Sequence, residues 1–219
     1  MTAGQPADPD PRRRIPRTDA VLADPRIAAS LARLDRRTVL DAVRHAQEQA
    51  RACAEVGVTD LTILDHPDGH LEPSLELRRD IARHIRRVRP DAVVTMTWAD
   101  VVPWGLSMAD HRVAGLAAAD AVRDADNRWV FRELAEQEGL EPWGATWLLV
   151  SGSDEPTHAV DVSGEPLERG IASLEQHREY LADLPGHPAP RELITGVTAE
   201  AGRELGVEAA EAFRAFRLR

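Results

Sequence analysis

A chain of 219 residues, 43% hydrophobic and 29% charged, has the composition of one folded domain with a short appendage. Its net charge of −10 argues against a general nucleic-acid binder, which needs a basic surface, and its single cysteine, Cys53, excludes an internal disulfide and a cysteine-based zinc site. No apolar run is long enough to span a bilayer, and the proline-rich start has no signal-peptide core, so a cytoplasmic protein is expected.

All 27 basic residues are Arg, as coding bias toward G and C would produce, so an abundance of guanidinium groups is not by itself an anion site. Arg12, Arg13 and Arg14 read as a solvated tail. Residues 1–16 are rich in Pro and Asp without a hydrophobic period, which predicts a disordered lead-in. Asp24-Pro25 then starts a helix, Asp as N-cap and Pro in the first turn, with Ile27, Leu31 and Leu34 on one stripe. A second helix is predicted from near Arg36 to Glu55, with Val39, Leu40, Val43 and Ala46 on its apolar face and Gly57 as its stop. Cys53 falls in this helix with no basic neighbour to activate it and reads as packing.

Beyond Gly57 the pattern alternates. Leu61-Thr62-Ile63-Leu64 predicts a buried strand, and His66-Pro67-Asp68-Gly69 a turn. Ser74 opens a helix with Leu75, Leu77, Ile81 and Ile85 inward, ended by Pro90. Ala92 to Thr97 is the next strand, and Trp98 to Met108 a loop. Helices follow from His111 to about Asp126 (Val113, Leu116, Ala117 and Val122 inward) and from Trp129 to Gln137. Strands are predicted at Thr146 to Val150 and at His158 to Val162. An amphipathic helix at Leu167 to Leu184 and a last helix at Glu192 to Leu205 complete the reading.

Strands alternating with helices predict crossover units and an α/β fold: a Rossmann-like, mainly parallel sheet with flanking helices, preceded by an N-terminal helical segment. Ligands of such sheets bind at the carboxyl ends of the strands. Two loops leave such ends, Asp65 to Pro73 and Trp98 to Asp110, and both carry His and Asp. His66-Pro67-Asp68-Gly69-His70 follows a strand and precedes a helix, and its His and Asp side chains are weighed as a substitute metal site, with His66 the candidate ligand and Asp68 a candidate catalytic residue. The competing reading is a rim loop in which Pro-Asp-Gly only makes the turn. His111 has a plain alternative too, a helix-start histidine beside an N-capping Asp110. Trp104, beside Gly105 in the second loop, is the candidate substrate-contacting aromatic.

The segment Met108-Ala109-Asp110-His111-Arg112, followed by Val113-Ala114-Gly115, resembles the second signature of the PIG-L/LmbE-like zinc-dependent N-deacetylases, His-Pro-Asp-His-Arg before a helix of small residues. Asp60 to Leu71 resembles that family's strand and Pro-Asp-Gly turn. Ile85 to Thr95, with Arg89-Pro90-Asp91, resembles the approach to its next strand. His158 to Glu179, with Ser173-Leu174-Glu175-Gln176-His177, resembles its late strand and helix. The resemblance implies His111 as a zinc ligand, Asp110 as a supporting acid, His177 near the substrate cleft and zinc as cofactor. It further implies hydrolysis of an N-acetyl group from a small amino sugar or a related conjugate.

Two departures stand out. Met108 occupies the place of the second signature's first His, and the family's first signature, His-Pro-Asp-Asp, which supplies two zinc ligands and the base, is not in this sequence. Residues 12–51, with Arg14-Ile15-Pro16-Arg17-Thr18-Asp19 and Leu22-Ala23-Asp24-Pro25-Arg26, resemble instead the opening helices of bacterial selenocysteine synthase (L-seryl-tRNA(Sec) selenium transferase). The expected organisation is thus a lead-in over 1–16, a helical segment over 17–51, and an N-terminally incomplete PIG-L/LmbE-like domain over 52–219. The expected function is that of a family member whose hydrolysis is impaired. A non-catalytic α/β ligand-binding or interaction module is the first alternative, and a tRNA-binding fragment the second. An exposed edge left by a lost first strand is compatible with a homo-oligomer.

Overall fold

The computed structural model describes Arg12, residues 15–103 and residues 105–219. The lead-in expected over 1–16, Arg13 and Arg14 of the basic cluster, and Trp104 fall wholly or largely outside them. In chain order the elements are α1 (Thr18–Leu22), α2 (Pro25–Leu31), α3 (Arg36–Glu55), α4 (Leu75–Val88), β1 (Ala92–Met96), β2 (Val101–Val102) and β3 (Gly105–Leu106). They continue as α5 (Ala109–Asp126), α6 (Arg132–Glu136), β4 (Trp147–Ser151), β5 (His158–Asp161), α7 (Glu165–Leu174), α8 (Arg178–Ala182), α9 (Pro190–Leu205) and β6 (Ala210–Arg217). The chain divides into two compact units, 1–62 with 162–200, and 63–161 with 201–219. No helix among the described residues is long and apolar enough to cross a membrane.

The first unit is helical. Asp24 caps α2 by accepting the Arg26 N–H, with Pro25 in the first turn, as the sequence predicts. The adjacent Arg26 guanidinium and backbone N–H hold the Asp24 carboxyl at about 2. Asp35 caps α3 through the N–H groups of Arg37 and Thr38. Helix α3 turns Val39, Val43 and Ala52 inward, and α7 supplies Leu167 and Ile171. Side chains finish the end of α3, where backbone carbonyls lack partners in the helix. Ser173 Oγ donates to Ala52 O at 2.9 Å, and Arg169 Nε to Glu55 O at 2.9 Å. Beside α3 lies a hollow of about 570 Å³ lined by apolar groups that include Val21, Ile27, Leu34 and Val43, with Cys53 in its wall. The helix predicted over Leu167 to Leu184 is two helices, α7 and α8, because the chain leaves helical geometry at His177 (φ −82°, ψ 59°).

The second unit holds a four-stranded sheet in the order β1-β4-β6-β5. β1 and β4 are parallel, from Ala92 opposite Trp147 to Met96 opposite Ser151. β6 lies antiparallel to both β4 and β5. The sheet is therefore mixed, which corrects the mainly parallel sheet expected from the alternation of strands and helices. The difference is β6, Ala-Glu-Ala-Phe-Arg-Ala-Phe-Arg, which the sequence reading leaves unassigned. Its Ala, Glu and Arg favour helices, and only pairing on both sides makes it a strand. The buried strand expected at Leu61-Thr62-Ile63-Leu64 does not form either. No ladder pairs it, and Leu61 and Ile63 are exposed. An apolar tetrapeptide gains strand geometry only from a partner strand, and the described residues offer it none.

One face of the sheet carries the core. Leu148 and Val150 of β4 meet Ala82 and Ile85 of α4, Ala121, Val122 and Ala125 of α5, and Leu134 of α6. Small residues let α5 lie close to β1. A Cβ built on Gly115 would stand 2.5 Å from Met96 O and 3.2 Å from the carbonyl of Thr97. Replacing Gly115 with Ala is expected to cost about 1–2 kcal/mol, because backbone rather than a flexible side chain must give way. A lowered urea midpoint with unchanged slope checks this. Leu75 and Leu116, expected on inward faces, are exposed instead, at 68% and 45%. Each sits on a helix face that the α4–α5 packing turns outward.

Candidate functional site

The two loops named from the sequence meet. Helix α5 begins at Ala109, with Met108 in the capping position, so Asp110 lies in the first turn and is not the N-cap. Its carboxylate reaches out of the helix. Oδ2 accepts the Gly69 N–H at 2.7 Å, and Oδ1 the Leu71 N–H at 3.2 Å. Gly69 has φ 76°, the left-handed region that glycine tolerates, which lets the Pro67–His70 turn and the residue after it present amides to one acceptor. A negative charge on the first turn of α5 is also favourable to the helix dipole. Asp110 thus ties the 65–74 loop to the start of the helix.

The other end of that loop is fastened by His66. Its Nε2 lies 3.1 Å from Asp80 Oδ2, and both side chains are about four-fifths buried. Asp80 Oδ1 accepts from Arg83 at 2.5 Å, and Arg83 also reaches Glu138 at 2.8 and 3.1 Å. Chiefly the bond to Glu138 raises the pKa of the Arg83 guanidinium above its ordinary value. Asp80, Arg83 and Glu138 escaped the sequence reading. The visible signal, an i,i+3 Asp-Arg pair on α4, is common on solvated helix faces.

The remaining sequence-named residues are placed as follows. Asp68 is exposed at the tip of the turn, and His111 is exposed on the first turn of α5. Asp100 pairs with Arg112 at 3.4 Å, and Arg112 also donates to the Ser107 carbonyl, bracing the stretch before α5. His177 belongs to the first unit, at the capping position of α8. His158 lies on β5 with its ring centroid 6.0 Å from that of Trp147, in an edge-on arrangement. Trp98 and Trp143 pack against the core, and Trp143 Nε1 donates to Pro90 O at 2.8 Å.

A catalytic zinc needs three protein ligands and one open position. His66 Nε2 is engaged by Asp80, and both Asp110 oxygens accept backbone N–H groups. Among the described residues no group of three or more His, Cys, Asp or Glu side chains is arranged to hold a metal ion. The described donors do not fit a zinc centre.

Comparison with known proteins bears on the same segment. Residues 25–122 match the family described as PIG-L, GlcNAc-PI de-N-acetylase. That match runs through α2 and α3 into the helix that carries Asp110 and His111. No comparison supports a resemblance of residues 12–51 to selenocysteine synthase, and the family match begins inside that segment. No curated protein sequence matches the chain. Among solved structures, the conserved protein TT1542 from Thermus thermophilus is similar at 26% identity and a TM-score of 0.63, over 78% of this chain and 71% of that one. N,N'-diacetylchitobiose deacetylase from Pyrococcus horikoshii, complexed with its inhibitor MPG, is similar at 21% identity and a TM-score of 0.65, over 81% of this chain and 64% of that one. GalB, the 4-carboxy-2-hydroxymuconate hydratase from Pseudomonas putida, is similar at 21% identity and a TM-score of 0.60, over 88% of this chain and 79% of that one. A deacetylase and a hydratase thus share this fold, and fold alone does not select the reaction. Residues 25–122 thus carry the likeness to the PIG-L de-N-acetylase family, and the solved structures show that the chain shares an α/β fold with a deacetylase.

Proposed function

We propose that this chain descends from N-deacetylases and binds a small N-acetylated amino sugar or a related conjugate at the Asp110 end of α5, without a complete hydrolytic metal centre of its own. The lineage reaction is zinc-dependent hydrolysis of the N-acetyl group. The observation that carries the reading is the engagement of both Asp110 oxygens by Gly69 and Leu71. A carboxylate with two backbone donors is a loop anchor. It keeps the turn closed and leaves the exposed Asp68 and His111 beside it as hydrogen-bonding groups for a neutral polar ligand. The family match over residues 25–122 supports the ligand class. The sugar-directed deacetylase that shares the fold supports it too, although this chain spans only 64% of that protein.

Zinc content and acetate release test the proposal together. The purified chain, dialysed against zinc, is expected to retain well under one ion per chain. It should release no acetate from N-acetylglucosamine or N,N'-diacetylchitobiose, while either ligand raises the unfolding temperature. Near-stoichiometric zinc that is lost in His111→Ala, with chelator-sensitive acetate release, would overturn the impaired reading in favour of an active deacetylase. Absence of any ligand-induced shift would remove the binding half of the proposal.

A further inference from the structure

Helix α5 runs 18 residues from the Asp110 end, so its far end lies about 27 Å away at 1.5 Å per residue. At that far end the turn 127–131 holds Trp129 out into solvent, 70% exposed. A lone exposed aromatic is ordinary. This one is mounted on a fixed frame. The carbonyls of Asn127, Val130 and Phe131 are all held by the buried Arg86 guanidinium, at 3.0 to 3.1 Å. The Trp129 N–H donates to Asn127 Oδ1 at 2.9 Å. Phe131 sits at φ 50°, a left-handed conformation unfavourable for a bulky aromatic, which persists only where the surroundings fix it.

Around the indole lies a recess of about 540 Å³ lined by Arg128, Trp129, Arg132, Glu136, Glu141 and Pro142. The Arg128 and Arg132 guanidinium carbons stand 5.4 and 5.9 Å from the Trp129 ring centroid, and Arg132 is tied to Glu136 at 2.6 Å. The polar lining is two guanidiniums and two carboxylates. It sums to no net charge and offers donors and acceptors beside an apolar ring. An anion would meet Glu136 and Glu141, and a cation would meet the two arginines. A neutral ring with an apolar C–H face and hydroxyls at its edge satisfies all three elements, because hydroxyls both donate and accept. The volume lies in the range of small-ligand sites.

We infer that this recess is a carbohydrate-binding site, separate from the Asp110 end, in which a neutral sugar ring stacks on Trp129 and its hydroxyls bridge Arg128, Arg132 and the two glutamates. It does not depend on the function proposed for the other end of α5.

The test is a titration of the 15N-labelled full chain with cellotetraose, maltotetraose and laminaritetraose, none of which carries an N-acetyl group. The readout is the Trp129 indole N–H resonance, assigned by its loss in Trp129→Phe. A saturable shift of that resonance with at least one of the three sugars is expected. Affinity should fall about 10-fold in Trp129→Ala, read by calorimetry. Circular dichroism establishes that Trp129→Ala folds, and Trp129→Phe, which keeps an aromatic face, should retain most of the affinity. No saturable shift with any of the three sugars overturns the inference. So does a shift produced only by adenosine monophosphate, which would mark a nucleotide site, or an affinity indifferent to Trp129→Ala.

Discussion

Replacing Arg86 with Leu is expected to destabilise the protein by about 4 kcal/mol, a large part of the roughly 5–15 kcal/mol that holds a typical domain folded. Arg86 is 2% exposed and gives its donors to backbone alone. Nε donates to Ala125 O at 3.0 Å, Nη1 to Phe131 O at 3.1 Å, and Nη2 to the carbonyls of Asp124, Asn127 and Val130 at 3.0 to 3.2 Å. Asp124 and Ala125 are in the last turn of α5, whose carbonyls have no partner within the helix. A cation there also meets the negative end of the helix dipole. One side chain from α4 therefore caps α5 and shapes the turn that follows it. Burial lowers the pKa of Arg86, with the charges of Glu133, Glu141 and Asp124 opposing that shift, yet a guanidinium starts so high that it stays protonated. Leu fills the space but takes a donor from five carbonyls, of which those of Asp124, Ala125, Asn127 and Phe131 keep a backbone N–H partner. Arg86→Lys keeps the charge and loses the planar fork, so most of the loss should remain. Urea unfolding of the two variants checks both statements. A Lys variant as stable as wild type would show that charge, not directional hydrogen bonding, is the source of the effect.

Arg86 also marks a limit of the sequence. It stands in Ile85-Arg86-Arg87-Val88 near a helix end, in a chain whose basic residues are all Arg. There a solvated pair assisting the helix terminus is the plain reading, and burial of one of the two is decided by how α4 meets α5. The helices themselves were legible. Asp24 and Ser74 cap where the sequence places them, and α3 runs from Arg36 to Glu55 as its period requires. Local rules suffice for such elements because capping and periodicity act within one turn or two. Sheet pairing does not obey local rules. Leu61 to Leu64 has strand composition and no partner, whereas Ala210 to Arg217 has helix-forming composition and two partners. The candidate site splits in the same way. The loop after β1 was read from the topology and Asp110 from a motif, whereas the strand expected before the 65–73 loop does not form. The pairing of His66 with Asp80, fourteen residues on, leaves no trace in the sequence.

For Asp110, the substitution with Ala is expected to release the loop and weaken ligand binding at this end of α5. Two backbone N–H groups lose a charged acceptor, each such bond contributing about 1.5–3 kcal/mol when dry and less here, where Gly69 is exposed, so a combined loss of about 2–3 kcal/mol is expected. The loss is local. His66 remains fastened to Asp80, so the loop should open from its Gly69 side while the core of Leu148, Val150 and Ala121 keeps its packing. Hydrogen exchange reads this directly: the amides of Gly69 and Leu71 should lose about 30-fold or more in protection while those of β4 are little changed. Asp110→Asn separates two roles that Ala removes together. The amide oxygen can still accept one of the two N–H groups, whereas its NH₂ can accept none, so about half of the protection should survive on a free-energy scale. If Asp110 acts on a ligand only by holding the turn, affinity for N,N'-diacetylchitobiose should follow that order, wild type above Asn above Ala, in step with loop protection. An Asn variant with a protected loop and no affinity would instead place the carboxylate itself on the ligand, returning Asp110 to the acidic role that its motif implies.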